Sequence, residues 1–250
     1  MKEQIHTVPV NEAFLSGDEC PFCYLERKAE QSALRYVAGP GASYMEPEVR
    51  AVTDKVGFCR VHMKKLYDFG NSLGSALILQ THYAELLDSF RKEAEKYEIP
   101  PKKGLLTRKK QPVKEAYPTR ITKQVDACYI CDKTDYNMER YFHTFFVLLK
   151  DEEFRARVEN SKGFCMRHFG QMLEMAEDRL PNSQREWFYP TAFSLMKDNL
   201  IRVKEDLDWL IAKYDYRNAS ADWKQSKDAL QRAMQKVEGL YPADPPYKNE

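Results

Sequence analysis

Several common features are missing from this chain, and each absence narrows its chemistry. It begins MKEQIHTVPVNEAF, without the basic-then-apolar run that opens a secretory signal, so export is not expected. No long hydrophobic run occurs. The longest stretch without a charged residue, 69–84, carries Asn, Ser, Gly, Gln, Thr and His, and is too short and too polar to span a bilayer. These two absences predict a cytoplasmic protein with no membrane association. Glycine is scarce, at 10 of 250 residues, and β-branched runs are few, which disfavours sheet. Charge of one sign is also lacking: 39 basic residues face 38 acidic ones, so no global field drives the chain onto nucleic acid. The patterns GxxxxGK[ST], GxGxxG and HExxH do not occur, which leaves nucleotide-binding and zinc-protease classes without support.

Cysteine is absent everywhere except in two matched frames. The first is Cys20-Pro21-Phe22-Cys23 followed by Gly57-Phe58-Cys59-Arg60-Val61-His62. The second is Cys128-Tyr129-Ile130-Cys131 followed by Gly163-Phe164-Cys165-Met166-Arg167-His168. The segment before each GFC also matches, Glu48-Val49-Arg50-Ala51 against Glu153-Phe154-Arg155-Ala156 with a one-residue shift. This reads as an internal duplication. All 6 cysteines fall inside the frames, which packed core thiols would not explain.

Leu, Ala, Met, Glu, Lys and Arg dominate, and the fold class read from them is all-α. We expect two homologous helical metal-binding repeats packed as a helical bundle, with a C-terminal helix. The boundaries are 1–98 for the first repeat and 99–124 for a basic, proline-containing linker. The second repeat is 125–216, and 217–250 forms a C-terminal helix and tail. Helices are predicted from Tyr24 to Val37, from Pro47 to about Lys55, from about Cys59, and from about Leu73 to Tyr97. On the last of these, Ala76, Tyr83, Leu87, Phe90, Ala94 and Tyr97 form a stripe expected to be core. Met138, Tyr141, Phe142, Phe145, Leu148 and Leu149 form another, and Met166, Phe169, Met172, Leu173 and Ala176 a third. A long helix from about Gln184 to Tyr214 repeats Phe193, Met196, Leu200, Val203, Leu207, Leu210 and Tyr214. Pro190 either kinks it or marks its start. A last helix, from Ala219 to Val237 with Asn218 as cap, presents Trp223, Leu230, Met234 and Val237 on its packed side.

CxxC and CxxH thus sit at helix starts, where free N–H groups favour thiolate. Residues i and i+3 share a helical face, so Cys59 and His62 point together, as do Cys165 and His168. Gly57 and Gly163 permit an unusual entry, and Phe58 and Phe164 plug the apolar space behind. The candidate metal ligands are Cys20, Cys23, Cys59, His62, Cys128, Cys131, Cys165 and His168. The simplest assumption is that each copy closes its own Cys3His site, although ligands exchanged between copies satisfy the same spacing. Zinc, two per chain, suits three thiolates and one imidazole in a closed shell, and such a shell is structural rather than catalytic. An iron–sulfur cluster is the alternative cofactor. A thioredoxin-like thiol role is weakened by the missing βαβ pattern and by Tyr129 in place of Pro21. His6, His82 and His143 stand alone, and Glu46, Glu48 and Asp54 fit a solvated face.

The segment 102–123 carries eight basic residues and one acidic. It reads as a solvated linker or as a basic arm for nucleic acid, with Lys109, Lys110 and Lys114 as candidate contacts. A protein partner is the other expectation.

Pro9-Val10-Asn11-Glu12-Ala13-Phe14, Tyr44-Met45-Glu46-Pro47-Glu48-Val49-Arg50, the KGFCMRH of 162–168 and Ser226-Lys227-Asp228-Ala229 resemble a bacterial family of unknown function with paired CxxC and GFCxxH motifs. The resemblance spans nearly the whole chain. It implies a bacterial cytoplasmic setting and brings no activity. The resulting expectation is a zinc-binding, non-enzymatic helical protein acting as an adaptor or regulator.

Overall fold

A computed structural model describes residues 7–97 and 117–245. They form only helices and turns. The α-helices are α1 (Thr7–Leu15), α2 (Pro21–Ala38), α3 (Pro47–Val56), α4 (Arg60–Phe69), α5 (Ser72–Ala94), α6 (Tyr117–Asp126), α7 (Tyr129–Leu148), α8 (Glu152–Glu159), α9 (Met166–Arg179), α10 (Asn182–Ala212) and α11 (Ala229–Glu238). Short 3-10 turns lie at Ser43–Met45 and Tyr216–Asn218. Among the described residues, no helix is long and apolar enough to cross a membrane.

Local chemistry accounts for most boundaries. Pro47 opens α3 at a position where its missing N–H is no loss. Asn71 caps α5 by accepting the N–H of Gly74 at 2.9 Å, and Asp151 caps α8 by accepting that of Glu153 at 2.9 Å. Gly239 ends α11 in the left-handed conformation, as its position predicts.

The chain folds into two compact units. Of the described residues, the first unit takes 7–29 and 135–245, and the second takes 30–97 and 117–134. Helices α2 and α7, which follow the two CxxC pairs, each begin in one unit and continue into the other.

In the first unit an aromatic core gathers Phe14, Phe22, Phe142, Phe145, Phe164 and Phe188. Phe22, inside the first CxxC, stacks on Phe142 with centroids 4.1 Å apart. The α7 stripe is buried as expected from its spacing, with Tyr141 partly so. On α9, Phe169, Met172 and Ala176 are buried while Met166 is exposed. On α10, Gln184, Phe188, Ala192, Leu195, Met196 and Val203 form the buried face, and Phe193, Leu200 and Tyr214 lie outside it. Pro190 lies within that helix, not at its start.

In the second unit the core is smaller and mostly aliphatic, built on Leu34, Val37, Val49, Leu66, Phe69, Ile78 and Ile130. Helices α3 and α4 pack on α5. The buried face of α5 is Gly74, Ile78 and His82, not the expected stripe: Tyr83, Leu87, Phe90 and Tyr97 are all more than half exposed. The end assigned to the basic linker is helical too. Pro118 is the second residue of α6, within the first turn where proline is tolerated. The prolines at 100, 101 and 112, and the candidate contacts Lys109, Lys110 and Lys114, lie outside the described residues.

The C-terminal helix is shorter than predicted and turned over. It starts at Ala229, not Ala219, and buries Ala229, Arg232, Gln235 and Lys236 against α9 and α10. Leu230, Met234 and Val237 are about half exposed, and Trp223 also lies outside the core. The physical reason is at the ligand loops, which present carbonyls and carboxylates for a polar helix face to satisfy.

Candidate metal centres

The eight cysteines and histidines converge as two groups of four, one in each unit. Site 1 is Cys20, Cys23, Cys165 and His168; site 2 is Cys59, His62, Cys128 and Cys131. Each site therefore joins one CxxC pair to the GFCxxH that follows the other CxxC pair in sequence. The assumption that each copy closes its own site is corrected by this pairing.

Each CxxC stands at the start of a helix, α2 or α7, and the cysteine of each CxxH is the N-cap of the next, α4 or α9. The Cys165 sulfur accepts the backbone N–H of His168 at 3.4 Å. A thiolate there meets the positive end of a helix. Gly57 and Gly163 precede these caps with φ of 67° and 74°. At Gly57 a side chain is also excluded by space, because a Cβ would sit 2.7 Å from the His82 ring. His82 itself is held by Nδ1 donating to the Asp54 carbonyl at 2.7 Å, so the lone histidine is a buried structural group. His143 meets Arg179 at the surface, and His6 lies outside the described residues.

The donor distances test whether one ion fits. In a tetrahedron with Zn–S of about 2.3 Å and Zn–N of about 2.0 Å, sulfurs stand ~3.8 Å apart and sulfur and nitrogen ~3.5 Å apart. At site 1, Nδ1 of His168 lies 3.5, 3.4 and 3.3 Å from the sulfurs of Cys20, Cys23 and Cys165, and the Cys23–Cys165 sulfurs are 3.6 Å apart. At site 2, Nδ1 of His62 lies 3.3, 3.2 and 3.3 Å from Cys59, Cys128 and Cys131, and the Cys59–Cys131 sulfurs are 3.9 Å apart. All six cysteines are free, so no disulfide competes for the sulfurs. Both sets can hold a metal ion.

The sulfurs and the imidazole of each site shift one another's protonation. Burial opposes charge on Cys128, but the His62 hydrogen bond and backbone N–H groups of Cys131 and Cys59 bring its thiol down to about 6. The same contact, with Glu30, outweighs burial and raises His62 to about 10. Burial and the neighbouring Cys128 push Cys131 up. At site 1, hydrogen bonds from Cys20 and Cys23 push the Cys165 thiol well down, and Cys23 rises correspondingly. Burial works against the charged form of His168, yet Cys165 and Cys20 hold it at about 9. At each site one thiol is held down, and a dication bound there would displace the protons of the other donors.

The outer nitrogen of each histidine faces a carboxylate. Nε2 of His62 donates to Glu30 at 2.8 Å, and Lys65 Nζ donates to the same oxygen at 2.5 Å. Burial raises the Glu30 carboxyl, but these two partners overcome it and hold it at about 2. Glu26 lies 3.7 Å from Nε2 of His168 and is also engaged by Arg167. A carboxylate behind a ligating histidine fixes its tautomer and strengthens it as a donor. Neither glutamate carries a motif that the sequence reading could have used.

The ligand loops are tied in two ways. At site 2 the backbone N–H of Tyr129 donates directly to the Gly57 carbonyl at 3.0 Å. At site 1 the equivalent residue is Pro21, which has no N–H. Lys236 of α11 takes over: its Nζ donates to the Glu19 carbonyl at 2.5 Å and to the Lys162 carbonyl, and it lies 3.3 Å from the Glu19 carboxylate. Burial lowers the pKa of Lys236, with the Glu19 charge opposing. Arg202 donates to the same carboxylate at 2.6 Å. Gly239 then closes over the site, where a Cβ would stand 3.2 Å from the Cys165 sulfur and 3.4 Å from that of Cys23.

Gly70-Asn71-Ser72-Leu73-Gly74 spells GxSxG, the pattern of a nucleophile elbow. Here it joins α4 to α5 with no strand before it, so it serves as a helix cap.

A curated relative, an uncharacterized 23.9 kDa protein in the xynA 3' region of Caldicellulosiruptor sp. (strain Rt8B.4), is 25% identical over 202 residues, covering 80% of this chain and 85% of its own. No solved structure matches. Residues 1–244 match the profile of a family of unknown function, DUF6062, and the chain belongs to that family.

Proposed function

We propose that the protein binds two zinc ions as structural elements and works as a non-enzymatic helical adaptor or regulator. The observation that carries this reading is the donor geometry: three sulfurs and one imidazole nitrogen at each site, all within 4.8 Å of one another. Four protein donors fill a tetrahedral shell and leave no position for a reacting water. The edges suit a single ion. A four-iron cluster gives each thiolate its own iron and holds the cysteines farther apart, so the iron–sulfur alternative is less well served by these distances. The reducing cytoplasm suits free thiol ligands.

Anaerobic purification followed by metal analysis tests the proposal. The expected result is a colourless chain with about two zinc ions. Cobalt substitution should give the intense visible bands of tetrahedral thiolate coordination at both sites. A folded chain without metal, or a brown one with stoichiometric iron and sulfide, overturns it.

A further inference from the structure

The exposed stripe of α5 lines a cavity. Tyr83, Leu87 and Phe90 face Ile121 and Val125 of α6 across a space of about 560 Å³, all within the second unit. Its floor is the ligand loop of site 2, with Phe58 just before Cys59 and Met63 just after His62. The walls are held together at one end by Arg120, which pairs with Glu93 through hydrogen bonds of 2.8 and 2.6 Å. The volume falls within the range of small-molecule sites, about 300–1,000 Å³. Large apolar groups left this open mark a binding surface.

Charge identifies the ligand class. Among the described residues no carboxylate lines the cavity. Among the described residues Arg60 is its one lysine or arginine, and this guanidinium makes no ion pair there. It is the first residue of α4, at the positive end of that helix. The remaining polar lining consists of neutral or tautomeric groups such as Gln124, Ser89 and His82. An apolar wall with one unmatched cation complements a molecule that is mostly hydrocarbon and ends in an acid. We propose that this cavity binds an acidic amphiphile of the long-chain carboxylate class, its chain between α5 and α6 and its carboxylate on Arg60.

Calorimetric titration of the full-length, metal-containing chain with dodecanoate, dodecanol and dodecylammonium, below their micellar concentrations, tests this. Dodecanoate should bind once per chain. Dodecanol should bind about tenfold more weakly, and dodecylammonium more weakly still. Arg60→Gln should weaken dodecanoate about tenfold and leave dodecanol unchanged, whereas Leu87→Glu should abolish binding of both. Leu87 is exposed, so helical circular dichroism and metal content should stay at wild-type values in that variant. Absence of saturable binding overturns the proposal, as does equal binding of dodecanoate and dodecylammonium. Two other occupants would also overturn it. One is a second copy of the chain, seen as a concentration-dependent dimer that Leu87→Glu dissociates. The other is the chain's own segment 98–116, seen as binding only after that segment is shortened.

Discussion

Site 1 and site 2 share one donor set but differ in how the protein encloses it. The four side chains of site 1 are at most 1% exposed, while at site 2 Cys59 and Cys131 are half-buried. Site 1 sits behind an aromatic core and beneath α11. Site 2 sits in a smaller core and borders an open apolar cavity. A single substitution accounts for part of the contrast. Tyr129 can tie its loop by a backbone hydrogen bond, and Pro21 cannot, so the first unit recruits a buried lysine from a remote helix. The same donor set is thus fully enclosed in one place and left partly accessible in another.

The largest expected effect comes from removing a sulfur. Cys165→Ser should lose the site 1 metal and with it much of the ~10–16 kcal/mol that structural zinc supplies, unfolding the first unit. Cys59→Ser should keep its metal, because water can reach the half-buried position and serve as fourth ligand. Metal stoichiometry and thermal unfolding of the two variants check this, and equal losses would erase the distinction. Next is Lys236→Met, which leaves two loop carbonyls unsatisfied and a buried carboxylate with one partner fewer, at a cost of about 3–5 kcal/mol. In chelator-release kinetics the wild type should show one fast and one slow metal ion, and this variant two fast ones.

Glu30→Gln should act on site 2 alone, weakening its metal about 10–100-fold while site 1 holds. Its pH dependence has a definite sign. Glu30 is held down at about 2 from a usual 4.5, so its stabilising contribution is full above 4.5 and fades as pH falls toward 2. The stability difference between wild type and variant should be flat from about pH 8 to pH 5 and shrink in acid. The smallest effect is Gly239→Ala, whose φ of 93° and close sulfur neighbours predict a loss of about 1–3 kcal/mol at site 1. Differential unfolding of the two units measures it.

Much of this arrangement was legible beforehand. Glycine and proline marked the ends of α2, α3 and α11, and the eight side chains that converge were visible as matched frames. Three things were not. Sequence spacing is the same for ligands closed within or between copies, so pairing could not be read. Hydrophobic periodicity finds the apolar side of a helix but not what that side meets. On α11 the polar side wins because Glu19 and Lys162 offer oxygens to Lys236. On α5 the stripe from Tyr83 to Phe90 lines a cavity instead of a core. Finally, α1 has no strong period, and α6 was hidden by Pro118, which sits where helices accept proline.

The crossed pairing also sets an order in time. From Cys20 to His168 the chain runs 148 positions, and the ligands of site 2 lie wholly inside that interval, His62 and Cys128 being 66 apart. A ribosome adding ~5–20 residues per second delivers His168 roughly 7–30 s after Cys20. All four donors of site 2 are therefore synthesised before Cys165 and His168 of site 1. The enclosed group is thus the last to gain its full donor set, and its two earliest thiols go longest without their partners.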